Sequence, residues 1–222
     1  MARSCTYLQG AHPSPCAFRG PLFLTRTKGS DMADPELSPL SLLWVDGQPA
    51  RLDGTNVTVV EQPDRHKLIL RGEEDREFRR AVKACTGAAL SFDADAVSGN
   101  DPCCMMLSPG EWLITSTTRP HLDRELAAVL QPMHANVFNA NSAWVAFNLS
   151  GSNAHILLAQ GCNLDLHPHE FPTGTFSQTT IARIPVLIFR PSGDHQFDLY
   201  VDRSLAMDLW LWLRETATNM TS

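Results

Sequence analysis

The sequence lacks the glycine-rich motifs with which many proteins bind nucleotide cofactors. It contains no G-x-G-x-x-G run, whose glycines let a pyrophosphate approach the amino end of a helix, and no G-x-x-x-x-G-K-[ST] phosphate loop. The G-x-S-x-G turn that presents the nucleophilic serine of many hydrolases is also missing. The sequence therefore predicts no cofactor-binding site and no catalytic nucleophile of these kinds.

Long apolar runs and excess positive charge are absent as well. No stretch approaches the roughly 20 apolar residues of a transmembrane helix. The formal net charge is −6, with 18 basic and 24 acidic residues, whereas a nucleic-acid-binding surface needs clustered lysine and arginine. We therefore expect neither a membrane nor a nucleic acid as a partner.

The six cysteines match neither a disulfide framework nor a zinc ribbon. They form no C-x-x-C pair, and two of them are adjacent. This spacing favours a reducing compartment, so we expect a cytoplasmic protein. The cysteines are Cys5, Cys16, Cys85, Cys103, Cys104 and Cys162.

The first 31 residues differ in composition from the rest of the chain. Residues 1–30 contain three prolines and four basic residues, no acid, and no helical or strand periodicity. A signal peptide is not indicated, because no apolar segment precedes a small-residue cleavage site. We interpret residues 1–31 as a disordered or non-native extension, with a transit peptide or a true start at Met32 as alternatives. Residues 32–222 are then the folded domain.

Residues 55–132 predict the order strand, helix, strand, strand, helix. Apolar runs at 57–60 and 67–71 are typical of strands. A helix follows, with acids at 73–75 suiting its amino end and Gly87 its carboxyl end. Its apolar face has helical spacing and consists of Phe78, Ala81, Val82 and Cys85.

The segment CCMMLSPGEWLITS (103–116) predicts a hairpin. Pro109 and Gly110 suit the second and third positions of a type II turn. The next segment, RPHLDRELAAVLQ (119–131), predicts a helix with Pro120 in its first turn.

Residues 135–215 repeat the same order of elements. NSAWVAFNLS predicts a strand, GSNAHILLAQ a helix capped by Ser150 and ended by Gly161, TTIARIPVLIFR and HQFDLYV two strands, and RSLAMDLWLWLRE the last helix. Two β-α-β-β-α units predict an α+β fold of two ferredoxin-like halves packed together. We place the halves at about 55–132 and 135–215.

Four segments, in this order, carry a resemblance to a known family. They are LSPGEWLI (107–114), LSGSNAHILLAQGCNLDL (149–166), FPTGTFSQTTIARIPVLIF (171–189) and RSLAMDLWLWL (203–213). Together they resemble the gamma subunit of bacterial heterotetrameric sarcosine oxidases over roughly residues 40–215. The resemblance implies a fold like that of the folate-binding aminomethyltransferases, the T-proteins of the glycine cleavage system.

The resemblance also implies a place in a larger enzyme. Such an assembly oxidises sarcosine to glycine, passes the methyl carbon to tetrahydrofolate and reduces oxygen to hydrogen peroxide. It implies partners named alpha, beta and delta, with NAD, FAD and folate on alpha, FMN at the alpha–beta junction and zinc on delta. None of these cofactor sites maps to a residue of this chain, so the resemblance implies a non-catalytic subunit that assembles or stabilises the flavin-bearing chains.

The stretch GCNLDLHPHEFPTG (161–174) concentrates groups able to bind zinc. We interpret it as structural, because an extended segment places the two histidines on one side and the cysteine on the other. Asp165 alone resembles a catalytic carboxylate, but no paired acid or base accompanies it. The competing ligands are Cys162, Asp165, His167, His169 and Glu170.

Four other residues have both a chemical and a structural interpretation. Cys103 and Cys104 point in opposite directions along a strand, so we expect one of them to pack in the core, against a redox role for the pair. Trp112 is interpreted as a core residue in preference to a ligand platform, and His155 as an ordinary helix residue. We therefore predict no catalytic, cofactor-binding or metal-binding residue in this chain.

Two other classes of function compete with the subunit hypothesis. One is a free-standing folate-binding protein that transfers an aminomethyl group, or a subunit of a related N-methyl amine oxidase. The other is a small metal or redox module built on Cys162 and the nearby histidines. Co-purification with flavin-bearing partners separates the first from the subunit hypothesis, and metal analysis tests the second.

The last helix is apolar around nearly its whole circumference. Residues 205–213 contain a single charge, Asp208. One apolar stripe consists of Leu205, Leu209 and Trp212, and the next of Ala206, Trp210 and Leu213. One stripe is expected to cover the chain's own sheet and the other to contact a partner subunit, so Trp210→Ala or Trp212→Ala is expected to weaken association with the large subunit. The alternative is that the chain itself covers both stripes.

Removal of residues 1–31 is expected to leave folding and assembly intact, because the segment has no periodic apolar face to bury. The measurement is the thermal midpoint of a chain that begins at Met32. A large drop in that midpoint relative to the full chain would show that the segment packs on the domain.

Overall fold

The computed structural model describes residues 38–73, 75–90, 97–193 and 195–220; the predicted extension, 1–31, lies outside them. The strands are β1 (Arg51–Gly54), β2 (Val57–Glu61), β3 (His66–Gly72), β4 (Val97–Ser98), β5 (Cys103–Ser108), β6 (Glu111–Ser116), β7 (Ala135–Asn139), β8 (Trp144–Ser150), β9 (Phe176–Ile181), β10 (Ile184–Phe189) and β11 (Gln196–Asp202). The helices are α1 (Arg76–Thr86), α2 (Leu122–Leu130), α3 (Ala154–Ala159) and α4 (Ala206–Asn219), with 3-10 turns at Ser41–Leu43 and Arg203–Leu205.

Two antiparallel sheets form the centre of the fold. The six-stranded sheet has the order β1-β2-β8-β11-β10-β9, and the five-stranded sheet has the order β4-β5-β6-β3-β7. A core of Cys103, Met105 and Leu113 from one sheet with Phe176, Leu187 and Tyr200 from the other joins them face to face. Helices α1 and α2 cover the outer face of the five-stranded sheet, and α3 and α4 cover that of the six-stranded sheet. The order of layers is therefore helix, sheet, sheet, helix.

Each sheet has the strand order of a ferredoxin-like unit, which confirms the predicted α+β class. In the first unit, β3, β5, β6 and β7 are the four strands, and they lie in the order β5-β6-β3-β7. In the second unit β10, β11 and β8 hold the equivalent positions, and β2 takes the place of the fourth strand beside β8.

The halves divide differently from the predicted boundaries. Strand β2 lies within 55–132 but pairs with β8 of the second sheet, whereas β7 lies within 135–215 but pairs with β3 of the first. The reason is that the first strand of each unit needs a neighbour on its free side, and pairing of distant segments supplies it in both sheets. The early strand of the chain therefore completes the late half.

Several local predictions are confirmed. Asp75 lies at the amino end of α1, as expected, but just before its first turn; its carboxylate caps the helix by accepting a hydrogen bond from the Phe78 amide at 2.7 Å. Gly87 ends α1 with φ 80°, and its N–H donates to the Lys83 carbonyl. Gly110 has φ 77° in the β5–β6 hairpin, as a type II turn requires.

Two local predictions are wrong. Ser150 belongs to β8 and does not cap the next helix; α3 begins three residues after Gly151, with Asn153 before its first turn and no side-chain cap. The run TTIARIPVLIFR is not one strand, because Ala182 and Arg183 both take positive φ angles, 50° and 70°, and fold it into the β9–β10 hairpin. Two positive φ angles define a tight hairpin turn that glycine or asparagine usually marks, and neither residue occurs there.

The last helix buries more of its surface than an interface helix would. Trp210 is 4% exposed and lies 5.8 Å from the Phe147 ring between ring centroids, so its predicted role as a contact residue is wrong. Trp212 is partly buried against Gly161, where an added Cβ would lie 2.5 Å from the indole ring. The helix contacts both α3 and β1, so the chain itself covers Trp210 almost completely and Trp212 in part.

Trp210→Ala is expected to lower the free energy of unfolding by about 3–5 kcal/mol, because it leaves a large cavity between α4 and the six-stranded sheet. Urea unfolding measures the loss. The matched control on the same helix is Leu211→Ala, whose side chain is 40% exposed. Equal stability of the two variants would contradict the burial of Trp210.

Candidate functional site

The histidine-containing stretch 161–174 forms a turn and does not form a ligand cage. Asp165 accepts a hydrogen bond from the His167 amide at 2.9 Å, and the chain turns back so that the Glu170 and Phe171 amides donate to the His167 carbonyl. The expected extended conformation is therefore wrong beyond Leu166. His169 and Glu170 contact each other at 3.0 Å with side chains 85% and 61% exposed, whereas Cys162 is buried.

Cys162 has a structural environment of its own. Its backbone forms an isolated antiparallel β-bridge with Ile181 of β9, and its thiol lies 3.8 Å from the Thr179 hydroxyl. Across the described ranges, no three histidine, cysteine, aspartate or glutamate side chains come together as a metal site would need. The absence of a metal site from the whole chain stays a prediction.

Cys103 and Cys104 are both buried, whereas the sequence predicted burial for one of them. Cys103 lies between the two sheets and Cys104 lies under the helices. Burial raises the pKa of each thiol to about 12. Both thiols are therefore protonated at neutral pH. They are unreactive in this form, because the thiolate is the reactive species.

The remaining candidates are structural. Trp112 is fully buried and contacts Phe78 with ring centroids 5.7 Å apart, as predicted for a core residue. His155 on α3 stacks on His195 at 6.4 Å.

The most unusual side chains were not predicted, and they lie between the sheets. Arg65, just before β3, donates to Asp198 on β11 at 2.5 Å and to the Tyr200 hydroxyl at 3.2 Å. Asn148 on β8 donates to the other Asp198 oxygen at 2.7 Å, and Tyr200 donates to Thr115 on β6 at 3.5 Å. We call these five residues the inter-sheet polar cluster. It contains groups from both sheets, so it links them.

The electrostatics of this cluster favour a fixed ion pair. Asp198 is 2% exposed, so its carboxylate depends on Arg65 and Asn148 for compensation. Burial opposes the charge of Arg65, but Tyr200 and Asp198 hold the pKa of Arg65 above its usual value. Burial raises the pKa of Tyr200 above its usual value, which keeps its hydroxyl protonated as a donor.

A small polar cavity of about 70 Å³ borders the cluster. It is lined by Arg65, Asn100, Asp101, Thr115, Ser116 and Thr117. The Asp101 carboxylate accepts hydrogen bonds there from the Thr117 amide and hydroxyl. The volume suits a few water molecules and is too small for a folate or a flavin.

The cluster contains no nucleophile beside a base, and its one carboxylate, Asp198, accepts hydrogen bonds from Arg65 and Asn148. Its arrangement can therefore hold two sheets together, but it offers no proton-transfer pair. A signal for it was present in HQFDLYV, where Phe197, Leu199 and Val201 alternate with Asp198 and Tyr200. A carboxylate at an inward position of a buried strand indicates a buried partner.

A second buried charge lies on β3. Lys67 is 4% exposed, and its ammonium donates to the Arg65 carbonyl at 2.8 Å. Burial and the nearby Arg65 charge lower the pKa of Lys67 to about 8, against a smaller opposing effect of Glu61. Glu61 itself is buried and accepts hydrogen bonds from Ser38 and from the Trp44 indole.

Comparison with known proteins gives a consistent result over most of the chain. The model of the sarcosine oxidase, gamma subunit family matches residues 62–219. The sarcosine oxidase subunit gamma of Corynebacterium sp. (strain U-96) is 26% identical over 188 residues, which cover 83% of this chain and 91% of that protein. That of Corynebacterium sp. (strain P-1) is 27% identical over 144 residues, covering 64% and 70%.

Solved structures agree with the sequence comparison. A chain of the heterotetrameric sarcosine oxidase from Corynebacterium sp. U-96, in complex with pyrrole 2-carboxylate, superposes with a TM-score of 0.74 and 26% identity. The match covers 83% of this chain and 96% of that one. The glycine cleavage system aminomethyltransferase T from Bartonella henselae has a TM-score of 0.53 at 15% identity, over 72% and 46% of the two chains, which shows a shared fold.

No helix among residues 38–73, 75–90, 97–193 and 195–220 is long and apolar enough to cross a membrane.

Lys67→Met is expected to remove a pH dependence of stability. Between pH 8 and the ordinary lysine value of 10.5, the unfolded chain holds a proton on Lys67 that the folded chain has lost. The parent's free energy of unfolding should therefore rise with pH in that window by about 2 kcal/mol relative to the variant. Urea unfolding of both proteins from pH 7 to pH 10 measures the difference.

The difference between parent and variant isolates Lys67. The raised pKa values of Cys103, Cys104 and Tyr200 act in the opposite direction, but they are common to both proteins. Loss of the donor to the Arg65 carbonyl shifts the variant equally at every pH. A difference that stays flat from pH 7 to pH 10 would show that Lys67 is not buried as described.

Proposed function

The chain belongs to the sarcosine oxidase gamma subunit family, and we propose that it acts as the non-catalytic gamma subunit of a heterotetrameric sarcosine oxidase. The whole assembly would oxidise sarcosine with oxygen, giving glycine and hydrogen peroxide and passing the methyl carbon to tetrahydrofolate. The observation that carries this proposal is the family match over residues 62–219, together with a superposition that covers 96% of a chain of such an oxidase.

The geometry of the described residues supports a structural role for this chain. The buried ion pair of Arg65 and Asp198 links the two sheets, and the thiols of Cys103 and Cys104 are protonated at neutral pH. Its contribution to the enzyme is then a rigid four-layer body against which flavin-bearing chains assemble. We propose that FAD, FMN, NAD, tetrahydrofolate and zinc are bound by those other subunits.

The identities of the partners and the compartment are further parts of the proposal. We assign the partners as the alpha, beta and delta subunits, because the U-96 enzyme with the matching chain is named a heterotetramer. The compartment we propose is the cytoplasm, since the described cysteines Cys85, Cys103, Cys104 and Cys162 are all free thiols.

The isolated chain is expected to be colourless and inactive toward sarcosine, whereas co-expression with the other subunits should yield a flavin-containing complex that includes it. Absorption between about 350 and 500 nm, sarcosine-dependent peroxide formation and co-elution of a tagged chain are the measurements. The physical reason is the lack of any dinucleotide fingerprint in the sequence.

Two results would overturn the proposal. A flavin band that survives purification of the chain alone would make it a flavoprotein. Stoichiometric binding of tetrahydrofolate by the isolated chain, without association with oxidase subunits, would favour the free-standing aminomethyl-transfer alternative.

A further inference from the structure

A stripe of like charge runs along the solvent face of α1. Arg76, Arg79, Arg80 and Lys83 follow the spacing i, i+3, i+4, i+7, and all four are exposed. The opposite face carries the buried Phe78 and Val82. We call these four residues the basic stripe. Four of the chain's 18 basic residues therefore fall within eight positions of an acidic protein.

The stripe is unfavourable for an isolated helix. Each of its members lies three or four positions from two others, and like charges at these spacings repel. Arg76 begins the helix, where the helix dipole already disfavours a cation. Glu77 is the one acid within α1, and no carboxylate of the described residues forms an ion pair with Arg76, Arg80 or Lys83.

The stripe also forms one wall of an open groove. The groove encloses about 750 Å³ and is lined by the four cations with Glu77, Ala89 and Leu90. Cations around a partly apolar floor suit a contact with another protein, in which charged residues at the rim surround an apolar centre.

We infer that the basic stripe docks onto an acidic surface of another subunit of the oxidase complex, an inference that rests on the function proposed above. Charge complementarity calls for an acidic partner, and the apolar part of the groove at Ala89 and Leu90 suits a protein interface with an apolar centre better than the polyanionic surface of a nucleic acid. An acidic protein surface relieves the repulsion within the stripe while meeting few of the chain's own acids. Complementary charge of this kind sets orientation and speeds association.

The test uses the full chain and the complete complex. The variant Arg80→Glu with Lys83→Glu reverses two charges of the stripe, and its new carboxylates lie four positions from Arg76 and Arg79, which favours the helix. The matched control is Arg124→Glu with Arg214→Glu, two exposed helix positions on α2 and α4, which gives the same change in net charge. Binding of each tagged chain to the complex of the other three subunits is measured at about 50 mM and about 500 mM NaCl.

The stripe variant is expected to bind at least about tenfold more weakly than the parent at the lower salt concentration, with the difference shrinking at the higher one. The control should stay within about twofold of the parent. If the parent and the stripe variant assemble equally well, the stripe is not a docking surface, while the proposed function stands. If the parent itself fails to assemble, the proposed function and this inference are both wrong.

Two further outcomes would assign the stripe to another occupant. Asp93 and Asp95 follow Leu90 by three and five positions in the sequence. If Asp93→Asn with Asp95→Asn and the stripe variant lower the thermal midpoint equally and leave assembly unchanged, the occupant is the chain's own segment. Binding of the parent to duplex DNA that the stripe variant loses would assign a nucleic acid.

Discussion

The ion pair between Arg65 and Asp198 is the constraint on which the packing of the two sheets depends. Arg65 precedes β3, an inner strand of one sheet, and Asp198 lies on β11, an inner strand of the other. Such a pair adds little net stability, because desolvation of both charges offsets their attraction. It strongly penalises any arrangement that separates them, since an unpaired Asp198 would be left at 2% exposure. The apolar residues hold the sheets together, and the ion pair fixes where they meet.

This inward contact determines the chemistry of the strands around it. Both faces of each sheet are covered, so adjacent residues of one strand enter different cores. Cys103 contacts the opposite sheet while Cys104 contacts the helices, and both thiols are kept protonated by burial. The same double coverage explains why β10 has four consecutive buried residues at its end instead of an alternating pattern. Reactive side chains on such strands are therefore buried in one of the two cores.

The features predictable from the sequence are those set by neighbouring residues. The amino end of α1 at Asp75, its stop at Gly87 and the turn at Pro109–Gly110 depend on local preferences, and each was predicted correctly, although the capping hydrogen bond of Asp75 was not. The exchange of β2 and β7 between the halves was not predictable, because an apolar strand pattern does not specify its partner. The Ala182–Arg183 turn was not predicted for the opposite reason. Its geometry is local, but neither residue is the glycine or asparagine that usually indicates such a turn. The inter-sheet polar cluster joins residues more than 130 positions apart, so only the odd carboxylate in β11 indicated it.

The two helical layers differ in what their most conspicuous residues do. The tryptophan residues of α4 contribute to stability, and the arginine residues of α1 suit recognition. On α4, Trp210 looked like an interface anchor in the sequence, but β1, α3 and the six-stranded sheet leave it no exposed face. On α1, the apolar face is narrow and buried. The unfavourable feature lies on its exposed face, where four cations are neighbours. A buried aromatic face is explained by the fold itself, whereas a self-repelling exposed face is not. The exposed surface of α1 is therefore the part of this chain for which contact with a partner is the better physical explanation.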